Sequence, residues 1–114
     1  MKRDFKFFLI DIINAIERIF EFTEGMDFEE FVSDDKTASA VVRKLEIIGE
    51  ATKNLPESIT SKYMNVPWRE MARMQDKIIH FYFGIDYEIV WKVIKERLPE
   101  IHKSIKEILQ KLEK

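Results

Sequence analysis

Ten consecutive residues, Arg73-Met74-Gln75-Asp76-Lys77-Ile78-Ile79-His80-Phe81-Tyr82, hold an arginine, an acid, a lysine, a histidine and a tyrosine. Acid/base chemistry on a phosphate needs this set. Imidazole titrates near neutrality, so it can give or take a proton at physiological pH. The guanidinium is a fixed fork of donors matched to phosphate oxygens. A tyrosine hydroxyl can orient a substrate or be modified. In RNA the 2′-hydroxyl is an internal nucleophile, so a histidine and an arginine could suffice for cleavage. The chain has no cysteine, and His80 and His102 are its two imidazoles. A histidine-rich metal site within one chain is therefore not expected, and metal-free, cofactor-free phosphodiester chemistry fits better.

A helix is the simplest way to present such a cluster. Residues seven apart on a helix point within about 20° of one another. Arg73 and His80 would then share a face with Asp76 between them. Gln75 and Tyr82 would share another. A plainer reading stands beside this one. A histidine near a helix end, close to Asp76 and Arg73, often only makes hydrogen bonds. Tyr82 between Phe81 and Phe83 suits a core. Glu50, an acid inside an apolar stretch, is either a functional acid or a structural partner for an arginine or tyrosine. His102 lies in a polar tail and is assigned no role.

The elements that position the cluster follow from composition and spacing. With 114 residues the chain is expected to form a single domain, 1–114. Such a length can bury roughly two thirds of its unfolded surface. Three glycines and three prolines leave little material for turns and favour long helices. The expected architecture is a compact all-α bundle of four to six helices. No apolar run reaches the length of a membrane span. Acids interrupt the N-terminal stretch, which argues against a signal peptide. A cytoplasmic location is the default. The net charge of -2 gives no global attraction to nucleic acid, so RNA binding would need a local basic patch.

Along the chain, Phe5, Phe8, Ile12, Ala15, Ile19 and Phe22 recur at helical spacing and predict a helix over 2–24, stopped by Gly25. Leu9, Ile13 and Ile16 widen its apolar face, which suggests contact with more than one neighbour. Phe28 to Phe31 suggests one helical turn, and Ser33, Asp34 and Asp35 are cap candidates. A second long helix is expected over 37–54, carrying Gly49 where close packing would offset its cost. Pro56 starts a short helix with Ile59, Tyr63 and Met64 on its buried side. Trp68 opens a helix expected to reach Phe83 and to end at Gly84. Asp86 caps the last helical region, where Pro99 should kink one helix or separate two.

The ordered segments Leu45-Glu46-Ile47-Ile48-Gly49-Glu50-Ala51, Leu55-Pro56-Glu57, Pro67-Trp68-Arg69-Glu70, Ile79-His80-Phe81-Tyr82-Phe83-Gly84-Ile85-Asp86, Val90-Trp91 and Leu98-Pro99 resemble the HepT-like family. Phe31 in the early acidic loop belongs to the same likeness. That family is part of the HEPN (higher eukaryotes and prokaryotes nucleotide-binding) superfamily. The resemblance spans nearly the whole chain. It implies a HEPN-like helical homodimer and a toxin-type, metal-independent ribonuclease. The implied partner is a minimal nucleotidyltransferase antitoxin. The family motif is an arginine, four to six residues, a histidine, one residue, and a tyrosine. By that motif His80 moves the proton, Arg73 contacts phosphate, and Tyr82 is the acceptor if the antitoxin transfers AMP. Gln75, Asp76 and Glu50 are supporting residues.

One position departs from the commonest pattern. Five residues before His80, where the family usually has arginine, stands Gln75. Glutamine carries no positive charge to stabilise a transition state. Either Arg73 substitutes for that guanidinium, or the site is weakened. In the second case the chain would be a weak or inactive binding module for its nucleotidyltransferase partner.

Overall fold

The computed structural model describes residues 3–80 and 84–113, with backbone alone over 77–80. Asp4 accepts the Lys6 amide at 2.9 Å and starts α1, Phe5–Thr23. Gly25, at φ +76°, turns the chain away, as its freedom from a Cβ permits. The buried stripe of α1 is Leu9, Ile12, Ala15, Ile16, Ile19 and Thr23. Apart from Thr23 it falls within the wide face expected. Phe5 and Phe8 flank the stripe, and Phe22, expected on it, is 36% exposed. The helix packs against two neighbours, so that the residues between their contact lines are buried deepest. Thr23 is tolerated there because its hydroxyl donates to the Ile19 carbonyl at 2.9 Å.

Asp27 and Glu30 form a reciprocal capping box that starts α2, Phe28–Ser33. This short helix delivers Phe31, which is fully buried against Tyr87 and Trp91. Asp34 then caps α3, Asp35–Lys53. It accepts from the Thr37 amide at 3.0 Å and the Thr37 hydroxyl at 2.7 Å. Those two bonds hold the Asp34 carboxyl below its ordinary pKa.

α3 is the hub. It lies along α1 on one side and meets α5, Trp68–Ala72, and α6, Met74–Ile78, on the other. Gly49 sits at the second contact, where an added Cβ would lie 3.5 Å from the carbonyl oxygens of Met71 and Ala72. Between these helices comes α4, Glu57–Thr60. Ile59 is buried as expected, but Met64 is 82% exposed, contrary to expectation.

The expectation of one helix from Trp68 to Phe83 is corrected. Arg73 leaves the helix at φ −101°, ψ 11°, splitting α5 from α6. Beyond α6 the backbone is extended: β1, Ile79–His80, pairs antiparallel with β2, Gly84–Ile85. The physical reason is local. Ile79 and Ile85, which pair across the two strands, are β-branched and favour extended backbone.

Asp86 accepts the Ile89 amide at 3.1 Å and caps α7, Tyr87–Lys92. A π-helical turn, Val93–Arg97, leads straight into α8, Leu98–Leu112. Pro99 thus stands in the first turn of α8, which the π turn separates from α7, one of the two outcomes expected. Proline has no amide hydrogen and its ring crowds the carbonyl four residues earlier. In the wider π turn the Leu98 amide reaches back to the Val93 carbonyl, and the helix passes Pro99 in a regular first turn. α8 returns along α1. The architecture is the expected all-α, HEPN-like bundle, with one contiguous apolar core. Among the described residues no helix is long and apolar enough to cross a membrane.

Candidate functional site

Two residues of the segment singled out in the sequence, Arg73 and Asp76, line a cleft of about 780 Å3. Part of its lining comes from the end of α4 and the connection after it: Thr60, Met64, Val66 and Pro67. The rest comes from α5, the break after it and α6: Trp68, Arg69, Glu70, Arg73 and Asp76. The Trp68 amide bonds to the Val66 carbonyl at 2.8 Å. The indole Nε1–H donates to the Tyr63 carbonyl at 2.9 Å. The ring is thereby fixed, half-buried, at the head of α5.

Arg73 occupies the break between α5 and α6, and its side chain is exposed between two buried residues, Met71 and Met74. Its amide still reaches the Arg69 carbonyl at 3.2 Å. Arg69 and Arg73 thus stand one turn apart on the cleft wall, and both are exposed. No ion pair with either is found among the described residues. Glu70 is held differently. Arg97, from the π turn, clasps it with Nη2 at 2.6 Å and Nε at 3.0 Å, and bonds Glu100 at 3.1 Å. The paired carboxylate raises the Arg97 pKa above its ordinary value. This fork ties the cleft wall to the C-terminal helices.

The structure brings Arg73 and Asp76 into one cleft. Gln75 is half-buried and does not line it. Glu50 is elsewhere: it is exposed on α3, 3.6 Å from Lys53, beside a groove shared with Arg3 and Asn54. The shared helical face expected for Arg73 and His80 is not formed, because Arg73 ends one helix and His80 lies in β1. The His80 side chain and all of Tyr82 lie outside the described residues. Sequence reasoning gave Arg69, Glu70 and Arg97 no role. A signal for the first was available in its spacing: two arginines at i and i+4 behind a proline-tryptophan pair. His102, assigned no role, joins α8 to α1 through a 2.9 Å contact between its Nε2 and Glu17, and lies against Phe20.

Residues 12–108 match the family model described as "Ribonuclease HepT-like". The chain belongs to this family. A Thermococcus cleftensis relative named "Probable ribonuclease HepT" is 52% identical over 114 residues, covering the whole of both chains. A Methanocaldococcus jannaschii relative named "Putative RNase MJ0127" is 50% identical over 112 residues, 98% of this chain and 93% of its own. No solved structure matches. The membership accords with the all-α bundle and with the segments on which the resemblance rested.

Proposed function

We propose that this chain is a metal-independent endoribonuclease, the toxin of a pair completed by a minimal nucleotidyltransferase antitoxin. It acts as a homodimeric single-domain protein in the cytoplasm. The observation that carries this reading is the His80-x-Tyr82 sequence a few residues after Arg73 and Asp76, which line one cleft, in a chain of the ribonuclease HepT-like family. The 2′-oxygen attacks phosphorus and the bond to the 5′-oxygen breaks, leaving a 2′,3′-cyclic phosphate. His80 accepts the 2′-hydroxyl proton, and an imidazolium, supplied by the second copy, protonates the departing oxygen. Arg73 holds the phosphate and meets the charge that builds on it. Asp76 orients the site. Tyr82 contacts substrate and is the position where AMP transfer by the antitoxin would block it.

A second reading has a specific observation behind it. Gln75 stands where the family usually has arginine, and the break at Arg73 separates that residue from the strand carrying His80. These features favour a binding module that engages its partner without cleaving RNA. Induced expression in a bacterial host separates the two readings. The ribonuclease arrests growth, and His80→Ala relieves the arrest at equal protein level. If wild type and His80→Ala permit equal growth, the toxin reading is wrong.

A further inference from the structure

The cleft has more apparatus than proton transfer requires. Arg69 and Arg73 are like charges one helical turn apart, an arrangement that disfavours a helix. No ion pair with either is found among the described residues. The acid between them in sequence, Glu70, is already clasped by Arg97. The same cleft is lined by Trp68, whose indole is held by its bond to the Tyr63 carbonyl, and by Met64, 82% exposed. An arginine pair without ion-pair partners among the described residues, in one cleft with a fixed aromatic ring and an exposed thioether, matches one chemistry well. A nucleotide presents a phosphate to the first and a base to the second.

We infer that this cleft is a subsite for one unpaired nucleotide of the RNA strand. Its base lies on Trp68 and Met64, and its phosphate lies between Arg69 and Arg73. This rests on the ribonuclease reading and adds to it the substrate class, single-stranded RNA, and the positioning residues Met64, Trp68 and Arg69. A paired base cannot enter, because both of its neighbours in the stack would have to be displaced. The subsite therefore selects loops and unpaired stretches over duplex.

The probe is a fluorescein-labelled 2′-O-methyl single-stranded oligonucleotide, which binds but lacks the nucleophile. Its anisotropy is titrated with the full chain over a range of salt. Arg69→Gln and Met64→Glu alter exposed side chains and leave the fold intact. Each is expected to weaken binding about tenfold. Arg69→Gln is expected to flatten the plot of log K against log salt by about 0.7, one phosphate contact on a single strand. A purely structural role for Arg69 would not move that slope. A duplex of the same sequence is expected to bind more weakly than the single strand. If both variants bind as tightly as wild type with an unchanged slope, the inference is wrong. The ribonuclease reading would still stand if wild type cleaves unmodified RNA and His80→Ala does not. If wild type binds through these residues but cleaves nothing, the subsite holds and the catalytic reading falls. If wild type neither binds nor cleaves, both fall. If the variants change only the oligomeric state, the cleft is a contact between copies and the inference is again wrong.

Discussion

At the scale of the residue, activity turns on which side chain supplies positive charge to the phosphate. Arg73 is exposed on the cleft wall, whereas Gln75 is half-buried and off it. Arg73→Gln should therefore lower the RNA cleavage rate about 10²- to 10³-fold, as loss of a transition-state donor does. Gln75→Arg in that background should not restore it. Full rescue by Gln75→Arg would move the phosphate contact from Arg73 to position 75. The sequence disclosed Arg73, His80 and Tyr82 as candidates because their chemistry is a property of side-chain type. It did not disclose that Glu50 faces another groove, since the direction of an acid on a two-sided helix depends on which neighbours cover each face. Nor did it reveal the clasp of Arg97 on Glu70, twenty-seven residues apart.

At the scale of the element, caps and stops were legible because they are local. Asp34, Asp86 and Gly25 act where their residue types predicted. Neither the break at Arg73 nor the end of the helix after Ile78 was legible. A helical reading of residues 68–83 counted apolar spacing and gave too little weight to the β-branched Ile79 and Ile85, which pair across the two strands. Pro99 was legible as a junction, but the π turn that precedes it was not. Two measurements probe these elements. Gly49→Ala on α3 would place a methyl in ordinary contact with two carbonyl oxygens, 3.5 Å away. The gain in helix propensity should then dominate and raise stability by about 0.5–1 kcal/mol in urea unfolding; a loss would mean that the contact between α3 and α5 is tighter than that distance implies. For the α3 cap, the Asp34 pKa is depressed in the folded state. Its charge therefore stabilises the fold above the ordinary carboxylate range, and that contribution is lost as pH falls through the lowered value. Asp34→Asn keeps an acceptor for the Thr37 amide but loses the charge. The stability gap between wild type and Asp34→Asn should be largest near neutrality and shrink in acid. A gap independent of pH would show that the charge plays no part in the cap.

At the scale of the molecule, the bundle was readable from scarce glycine and proline and from spacings of three and four. Those features state directly that helices bury one stripe each. The pairing of those stripes was not readable. The wide stripe of α1 signalled more than one neighbour, but not that these are α3 and α8. The cleft was likewise hidden, since it forms where the connection after α4 meets α5, and only folding brings Met64 and Arg73 into one cleft. The bundle thus sets Arg73 and Asp76 in one cleft. The central claim is that this arrangement cleaves RNA without metal, by proton transfer through His80. The direct measurement is incubation of the purified protein with a mixed pool of single-stranded RNA in excess EDTA, alongside His80→Ala. The account predicts cleavage by the wild type to products ending in 2′,3′-cyclic phosphate, and none by His80→Ala. An RNA pool left intact by both proteins, or cut equally by both, would contradict it.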